Sequence, residues 1–217
     1  MITLYAAYNL PPFAKNLVRD FRVMWALEEL GLPFQIHWMD IAKGEHRLDP
    51  NRKVNPFGKI PAIADGDFCL FESGAIVHYL YDKAGKLPKD AEASAKLLQW
   101  SLAALNTIEP VCFEIVSWDT FWTDRTGREP RYGELITLAQ ARAADLERTL
   151  ESKPYLLGEE FGPADILMTT VLNFVGHQPL ALEKTPGVRA YAERCKARPA
   201  HQRAAARHGK GPNSKAA

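Results

Sequence analysis

Apolar positions repeat in two different ways along the chain, and the change from one to the other divides it. "ITLYAA", near the start, is a short apolar run that reads as a strand, and "NLPPFAKN" breaks it with an asparagine and two prolines. From Leu17 onward, Phe21, Met24, Trp25, Leu27 and Leu30 approximate the spacing of a helix with one buried face. Gly31 and then Pro33 mark its exit. "FQIHWMDI" is a second strand, and "AKGEHRLDPNRKVNPFG" is polar and irregular with room for one short helix. The runs IPAIA and FCLF then flank Asp65-Gly66-Asp67, a hairpin whose glycine supplies the positive φ of a tight reversal. A helix follows from Ser73, carrying Ile76, Val77, Tyr79 and Leu80 and stopping near Gly85. The order β-α-β-α-β-β-α predicts a mixed four-stranded sheet covered by helices. Strands separated by a helix pair in parallel through right-handed crossovers, and the closing hairpin adds antiparallel pairing.

After "AGKLPKD" the texture becomes rich in Ala and Leu, with helical stretches around 91–120, 131–151, 164–175 and 186–196 and no comparable strand-like run. Two domains are therefore expected: residues 1–84 as an α/β unit and residues 91–205 as an all-α unit, joined by a Gly/Pro/Lys-rich linker. No internal repeat is visible. The basic run Arg194, Lys196, Arg198, Arg203, Arg207 and Lys210 reads as a solvated segment, and residues 206–217 as a disordered tail.

Composition narrows the function classes. Apolar residues make up 47% of the 217, enough for a substantial core, and Lys plus Arg (27) nearly balance Asp plus Glu (26). A formal net charge of +1 favours neither nucleic acid nor an anionic membrane. No run approaches the roughly 18 apolar residues of a membrane span, and no basic segment followed by an apolar core opens the chain as in a secretory signal. The three cysteines, Cys69, Cys112 and Cys195, are far apart and form no CxxC, and the six histidines show no metal-ligand spacing. A cytoplasmic, metal-free protein is expected.

The strand order, together with "NPFGKIPAIADGDFCLFESGAIVHYL", resembles the thioredoxin-like half of a cytosolic glutathione transferase. "VMWALEELGLPF" resembles the first helix and turn of that family, and "YLLGEEFGPADILMTTVL" the stretch opening the buried helix of its all-helical half. The resemblance covers about residues 2 to 200. It implies that the peptide bond before Pro61 is cis, leaving the backbone N–H and C=O of Ile60 to pair with the cysteinyl backbone of glutathione as a short antiparallel strand would. It also implies that Ser73, at a helix N-terminus carrying unpaired N–H groups and partial positive charge, binds the γ-glutamyl carboxylate. Glu72 would orient the same moiety. Taken alone, Pro61 would more simply begin an edge strand and Ser73 would serve at least as well as a helix cap. Lys59, with Lys43 or Arg47 from the preceding loop, is a candidate for the glycyl carboxylate.

The resemblance further implies a thiol activator, a Tyr, Ser or Cys at or just after the end of the first strand. No Ser or Cys occurs in residues 1–40, and the loop after the first strand is longer than the family's usual connection. Tyr5, Tyr8 and Asn9 are the candidates, with Asn16 and Arg19 behind them. In the helical half, Asp165 fits the family's helix-start signature and reads as structural, with Gly162 where a capping hydroxyl is expected. Phe113, Val116, Trp118, Phe121 and Trp122 lie on a helix that in the family helps wall the second-substrate pocket, although for each aromatic taken alone core packing is the more ordinary role. The expected activity is conjugation of glutathione to a small hydrophobic electrophile by a homodimer. A glutathione-dependent disulfide or peroxide reductase on the same fold and a non-catalytic glutathione-binding module are the alternatives.

Overall fold

The computed structural model describes residues 1–121, 126–127, 129–176 and 178–212. The chain forms two compact units: Met1–Leu87 with the stretch beginning at Arg198, and Pro88–Ala197.

The first unit is built on a four-stranded sheet in the order β2-β1-β3-β4, from β1 (Ile2–Tyr8), β2 (Phe34–Asp40), β3 (Ala62–Asp65) and β4 (Phe68–Phe71). β1 and β2 are parallel, while β3 runs antiparallel to both β1 and β4. Alternation decides which face is covered: Ile2, Leu4 and Ala6 are buried while Thr3 and Tyr5 are half-exposed. Helices α1 (Asp20–Leu30) and α3 (Ser73–Lys83) close the buried face, with Phe21, Met24, Leu27, Ile76, Val77 and Leu80 forming its core. The short α2 (Asp49–Arg52) lies in the polar stretch before β3. Gly31 ends α1 in the left-handed conformation at φ 62°, its N–H returned to the Leu27 carbonyl. Gly66, at φ 64°, opens the two-residue hairpin loop that sets Asp65 against Phe68.

The second unit contains α4 (Ala91–Leu102), α5 (Glu109–Phe121), α6 (Glu129–Leu150), α7 (Pro163–Leu172), α8 (Pro179–Leu182) and α9 (Pro186–Lys196). Every residue of α7 is buried, so this helix is the axis of the unit. Its start is held by Asp165, which accepts from the Gly162 N–H at 2.9 Å. Gly162 has no hydroxyl to return the bond. In the same unit the Glu147 carboxylate caps α9, accepting from the Gly187 and Val188 amides at 2.7 Å each.

The stretch from Arg198 departs from the expected end of the helical half and the expected disordered tail. It forms α10 (Pro199–Arg207), which belongs to the first unit and packs on α1. Ala200, His201 and Ala204 are buried, with the His201 ring edge-on to Trp25 and Phe21. The arginines of the basic run remain partly exposed, but they are paired rather than free in solvent as expected. Arg198 pairs with Glu29, while Arg203 and Arg207 reach Glu28 at 2.9 and 2.6 Å. Arg207 also lies over the Phe34 ring at 4.5 Å. His208 is 1% exposed and Gly211 is buried, whereas the expected tail beyond residue 212 lies outside the described residues.

Candidate functional site

The hairpin register decides what sits beside what. Ala62 is paired with Phe71 at the end of the hairpin, so Pro61 and Glu72 are the next residues on the two chains, followed by Ile60 and Ser73. The Ile60–Pro61 bond is cis, and β3 begins only at Ala62. Ile60 is half-buried, and no hydrogen bond to its backbone occurs among the described residues.

The segment leading into this edge is held by a residue the sequence did not single out. Asn55, 5% exposed, donates from Nδ2 to the Lys59 carbonyl at 2.8 Å, and its Oδ1 accepts from the Phe57 N–H at 3.0 Å. Gly58 turns beneath it at φ 56°, close against the backbone of His46 and Arg47. His46 is buried, and burial, then the Arg47 and Lys59 charges, hold its imidazole pKa below the usual value. Its Nδ1 has no hydrogen-bond partner among the described residues. Arg47 and Lys59, whose charges disfavour a proton on His46, thus form a cationic rim ahead of Ile60. Lys43 is drawn elsewhere: its ammonium lies 3.8 Å from Asp40 and its side chain is largely exposed.

On the other side, Glu72 is exposed and takes a left-handed backbone at φ 69° and ψ 112°. Few non-glycine residues adopt this, and where it occurs the surroundings enforce it. Its carbonyl accepts the Ile76 amide at 2.9 Å, so α3 begins with its first amides directed toward the hairpin edge. Ser73 is buried at 5% exposure, and its Oγ accepts from the Arg22 guanidinium at 3.2 Å. A hydroxyl that accepts there keeps its own hydrogen for donation. Arg22, 2% exposed, brings a buried positive charge against this helix mouth. Sequence reasoning misses it, because its only signal is a charged residue inside the apolar stripe of α1.

The candidate thiol activators separate. Tyr5 is mid-strand and projects with His37 and Ala62 from the sheet face opposite Leu4 and Ile63. Its ring lies 4.9 Å from that of His37, and burial, then Cys69, raises its phenol pKa. Tyr8 and Asn9 stand instead at the end of β1, where the chain leaves the sheet, Asn9 exposed and left-handed at φ 57°. In the second unit Phe113 and Phe121 are 39% and 65% exposed, Val116 and Trp118 are half-buried, and Trp122 lies outside the described residues. Among the described residues no group of His, Cys, Asp and Glu is arranged to hold a metal, and no helix is long and apolar enough to cross a membrane.

Comparison with known proteins bears on both units. The family model for the glutathione S-transferase N-terminal domain matches residues 15–82, and that for the glutathione S-transferase C-terminal domain matches residues 106–199. Glutathione S-transferase 3 of Zea mays is 33% identical over 206 residues, covering 90% of each chain. Glutathione S-transferase theta-1 of Rattus norvegicus is 30% identical, over 76% of this chain and 73% of that one. Among solved structures, a glutathione transferase from Burkholderia graminis with two glutathione molecules bound per subunit superposes with a TM-score of 0.85 at 28% identity, covering 97% of this chain and 89% of that one. A family member from Pseudomonas fluorescens, also with two glutathione bound, gives 0.84 at 26% identity, over 94% and 92% of the two chains.

Proposed function

The chain belongs to the glutathione S-transferase family, and from that premise we propose that it is a glutathione transferase acting on small hydrophobic electrophiles, as a homodimer in the cytoplasm. Glutathione lies with its cysteinyl main chain along Ile60 and Pro61. Its γ-glutamyl carboxylate sits at the mouth of α3, where the Ser73 hydroxyl and the first amides donate to it and Arg22 stands behind. Glu72 faces the γ-glutamyl ammonium, and Lys59 with Arg47 meets the glycyl carboxylate. The observation that carries this reading is the Ala62–Phe71 pairing, from which the two chains lead directly into Ile60-Pro61 and Glu72-Ser73.

Held at both ends, the tripeptide presents its thiol to the loop after β1, where Tyr8 and Asn9 stand. A free thiol has a pKa of about 8.5, and lowering it by about two units requires roughly 2.7 kcal/mol of preferential thiolate stabilisation. Hydrogen bonds to a charged group contribute about 1.5–3 kcal/mol each, so one hydroxyl or two amides suffice. The thiolate then attacks an electrophilic carbon; a carbon–sulfur bond forms as the leaving group departs with the electron pair.

Ser73→Ala tests the cradle. Loss of one hydrogen bond to a carboxylate should weaken retention on immobilised glutathione by about 10- to 150-fold. Unchanged retention would overturn the assignment. A second reading, glutathione-dependent disulfide reduction, is favoured by the two glutathione molecules per subunit in the Burkholderia graminis protein and by the lack of Ser or Cys in residues 1–40. One glutathione thiolate would displace a thiolate from the disulfide substrate. A second would resolve the mixed disulfide, giving glutathione disulfide and a second free thiolate. Comparing turnover of a disulfide with that of an activated aryl halide separates the two reactions.

A further inference from the structure

The loop of residues 9–19, between β1 and α1, contains a second left-handed asparagine, Asn16 at φ 63°. A non-glycine residue keeps that conformation where neighbouring groups hold it. The holder here comes from far along the chain. The Asn16 N–H donates to Nδ1 of His208 at 3.0 Å, across 192 residues of sequence. An Nδ1 that accepts carries no proton, so the hydrogen is on Nε2, which donates to Asp20 Oδ1 at 3.0 Å. The other Asp20 oxygen accepts the Ala7 N–H at 2.7 Å. Both side chains of the His208–Asp20 pair are completely buried, with the Phe21 ring edge-on to the imidazole at 5.3 Å.

One imidazole therefore connects the inside of the loop to both of its ends, directly to Asp20 at the start of α1 and through it to Ala7 in β1. The residues after His208 extend the grip. Gly209 bridges to Tyr8 in the manner of a parallel strand, and it packs on Leu10. Gly211 approaches the Tyr8 ring so closely that a methyl group there would lie 2.9 Å from it. Tyr8 and Asn9, the residues at the sulfur end of the proposed site, are thus flanked by a segment lying some 200 residues away in sequence.

We propose that His208 is a positioning residue for the transferase reaction, fixing the loop after β1, and with it Tyr8 and Asn9, in the conformation that receives the glutathione sulfur. The inference rests on the glutathione reading above. It predicts that the thiol step and the binding of the tripeptide's ends respond to different residues.

Two variants separate the bonds His208 makes. His208→Gln keeps a donor at the Nε2 position for Asp20 but no acceptor for the Asn16 amide. His208→Asn keeps an acceptor at the Nδ1 position but does not reach Asp20. In His208→Gln we expect hydrogen exchange of the Asn16 amide to accelerate about tenfold or more. We expect kcat, with whichever of the two substrate classes is turned over, to fall about tenfold while KM for glutathione changes less than about twofold. His208→Asn should recover most of that kcat. Unchanged exchange and kcat in His208→Gln would overturn the proposal. So would a parallel loss of kcat and glutathione retention that His208→Asn fails to rescue, because that pattern belongs to the stability of the whole unit. If the unaltered protein is not retained on glutathione, the glutathione reading is what fails, and the exchange measurement still decides whether His208 holds the loop.

Discussion

Replacing Asp165 with alanine should destabilise the helical unit severely. Its carboxylate, 1% exposed, accepts hydrogen bonds from the Leu156 N–H at 3.0 Å, the Gly162 N–H at 2.9 Å and the Tyr191 hydroxyl at 2.8 Å. Burial, then the Asp165 charge, holds the Tyr191 phenol well above its usual pKa, so it stays a donor at every practical pH. The alanine variant orphans two fully buried donors, at about 1–3 kcal/mol each, and a half-exposed one that water serves in part. Relief of the carboxylate's own desolvation offsets some of this, leaving a net loss of about 3–5 kcal/mol. At about 2–4 °C per kcal/mol for a chain of this size, the midpoint should fall by roughly 6–20 °C. Urea unfolding followed by circular dichroism measures the loss directly, provided the slope against denaturant is unchanged. Tyr191→Phe, which deletes one of these bonds, should cost about 1–2 kcal/mol. A loss below about 1 kcal/mol in Asp165→Ala would refute the reasoning, because it would mean that the orphaned donors find other partners. Equal losses in the two variants would refute it too, since a single bond would then account for the whole effect.

Burial pushes the Cys112 thiol up to about 12, with Glu109 adding to it, and pushes Cys195 up to about 11. Cys69 is exposed. A disulfide-exchange reagent at pH 8 should therefore titrate one thiol rapidly in the native protein and all three after denaturation, and two fast thiols would contradict the burial of this core. At the hairpin, hydrogen bonds from Lys83, 2.7 Å away, and from Tyr79 hold the Asp65 carboxyl below its usual pKa. A depressed folded value stabilises the native state above the unfolded pKa of about 3.9 and loses that contribution as pH falls through the folded value. Asp65→Asn should accordingly be less stable than the original by at most about 1 kcal/mol at pH 7, the pair being near the surface. The difference should vanish at strongly acidic pH in paired thermal melts, and a gap that persists there would rule out this linkage.

Much of the first unit is legible in the sequence because its signals are local. Ile2, Leu4 and Ala6 alternate against Thr3 and Tyr5, Gly31 ends α1, and Gly66 turns the hairpin; each acts within a few residues. The proposed cradle is half-legible for the same reason, since the hairpin pairing up to Ala62 and Phe71 leads the chain into Ile60-Pro61 and Glu72-Ser73. What supports it is not. Arg22 reaches Ser73 from 51 residues away, and a lone arginine in an apolar stripe does not announce its partner. The basic run from Arg198 reads as a solvated face in isolation. It becomes a docking surface because Glu28 and Glu29, about 170–180 residues earlier, are presented on α1 to receive it. Asn55 and His208 share this property: their roles depend on which backbone groups the fold brings to them, and no spacing in the sequence records that.

The return of the segment from Arg198 to the first unit makes that unit discontinuous in the chain, with Pro88–Ala197 inserted between its two parts. During synthesis, the sheet and α1 emerge long before the helix that covers Phe21 and Trp25 and the imidazole that ties down the loop after β1. A nascent first unit must therefore wait, with that side of α1 bare, while the entire helical unit is translated. A gene fragment ending at the linker would produce this unfinished species permanently. A first unit with its covering helix needs residues 198–212 as well as residues 1–87.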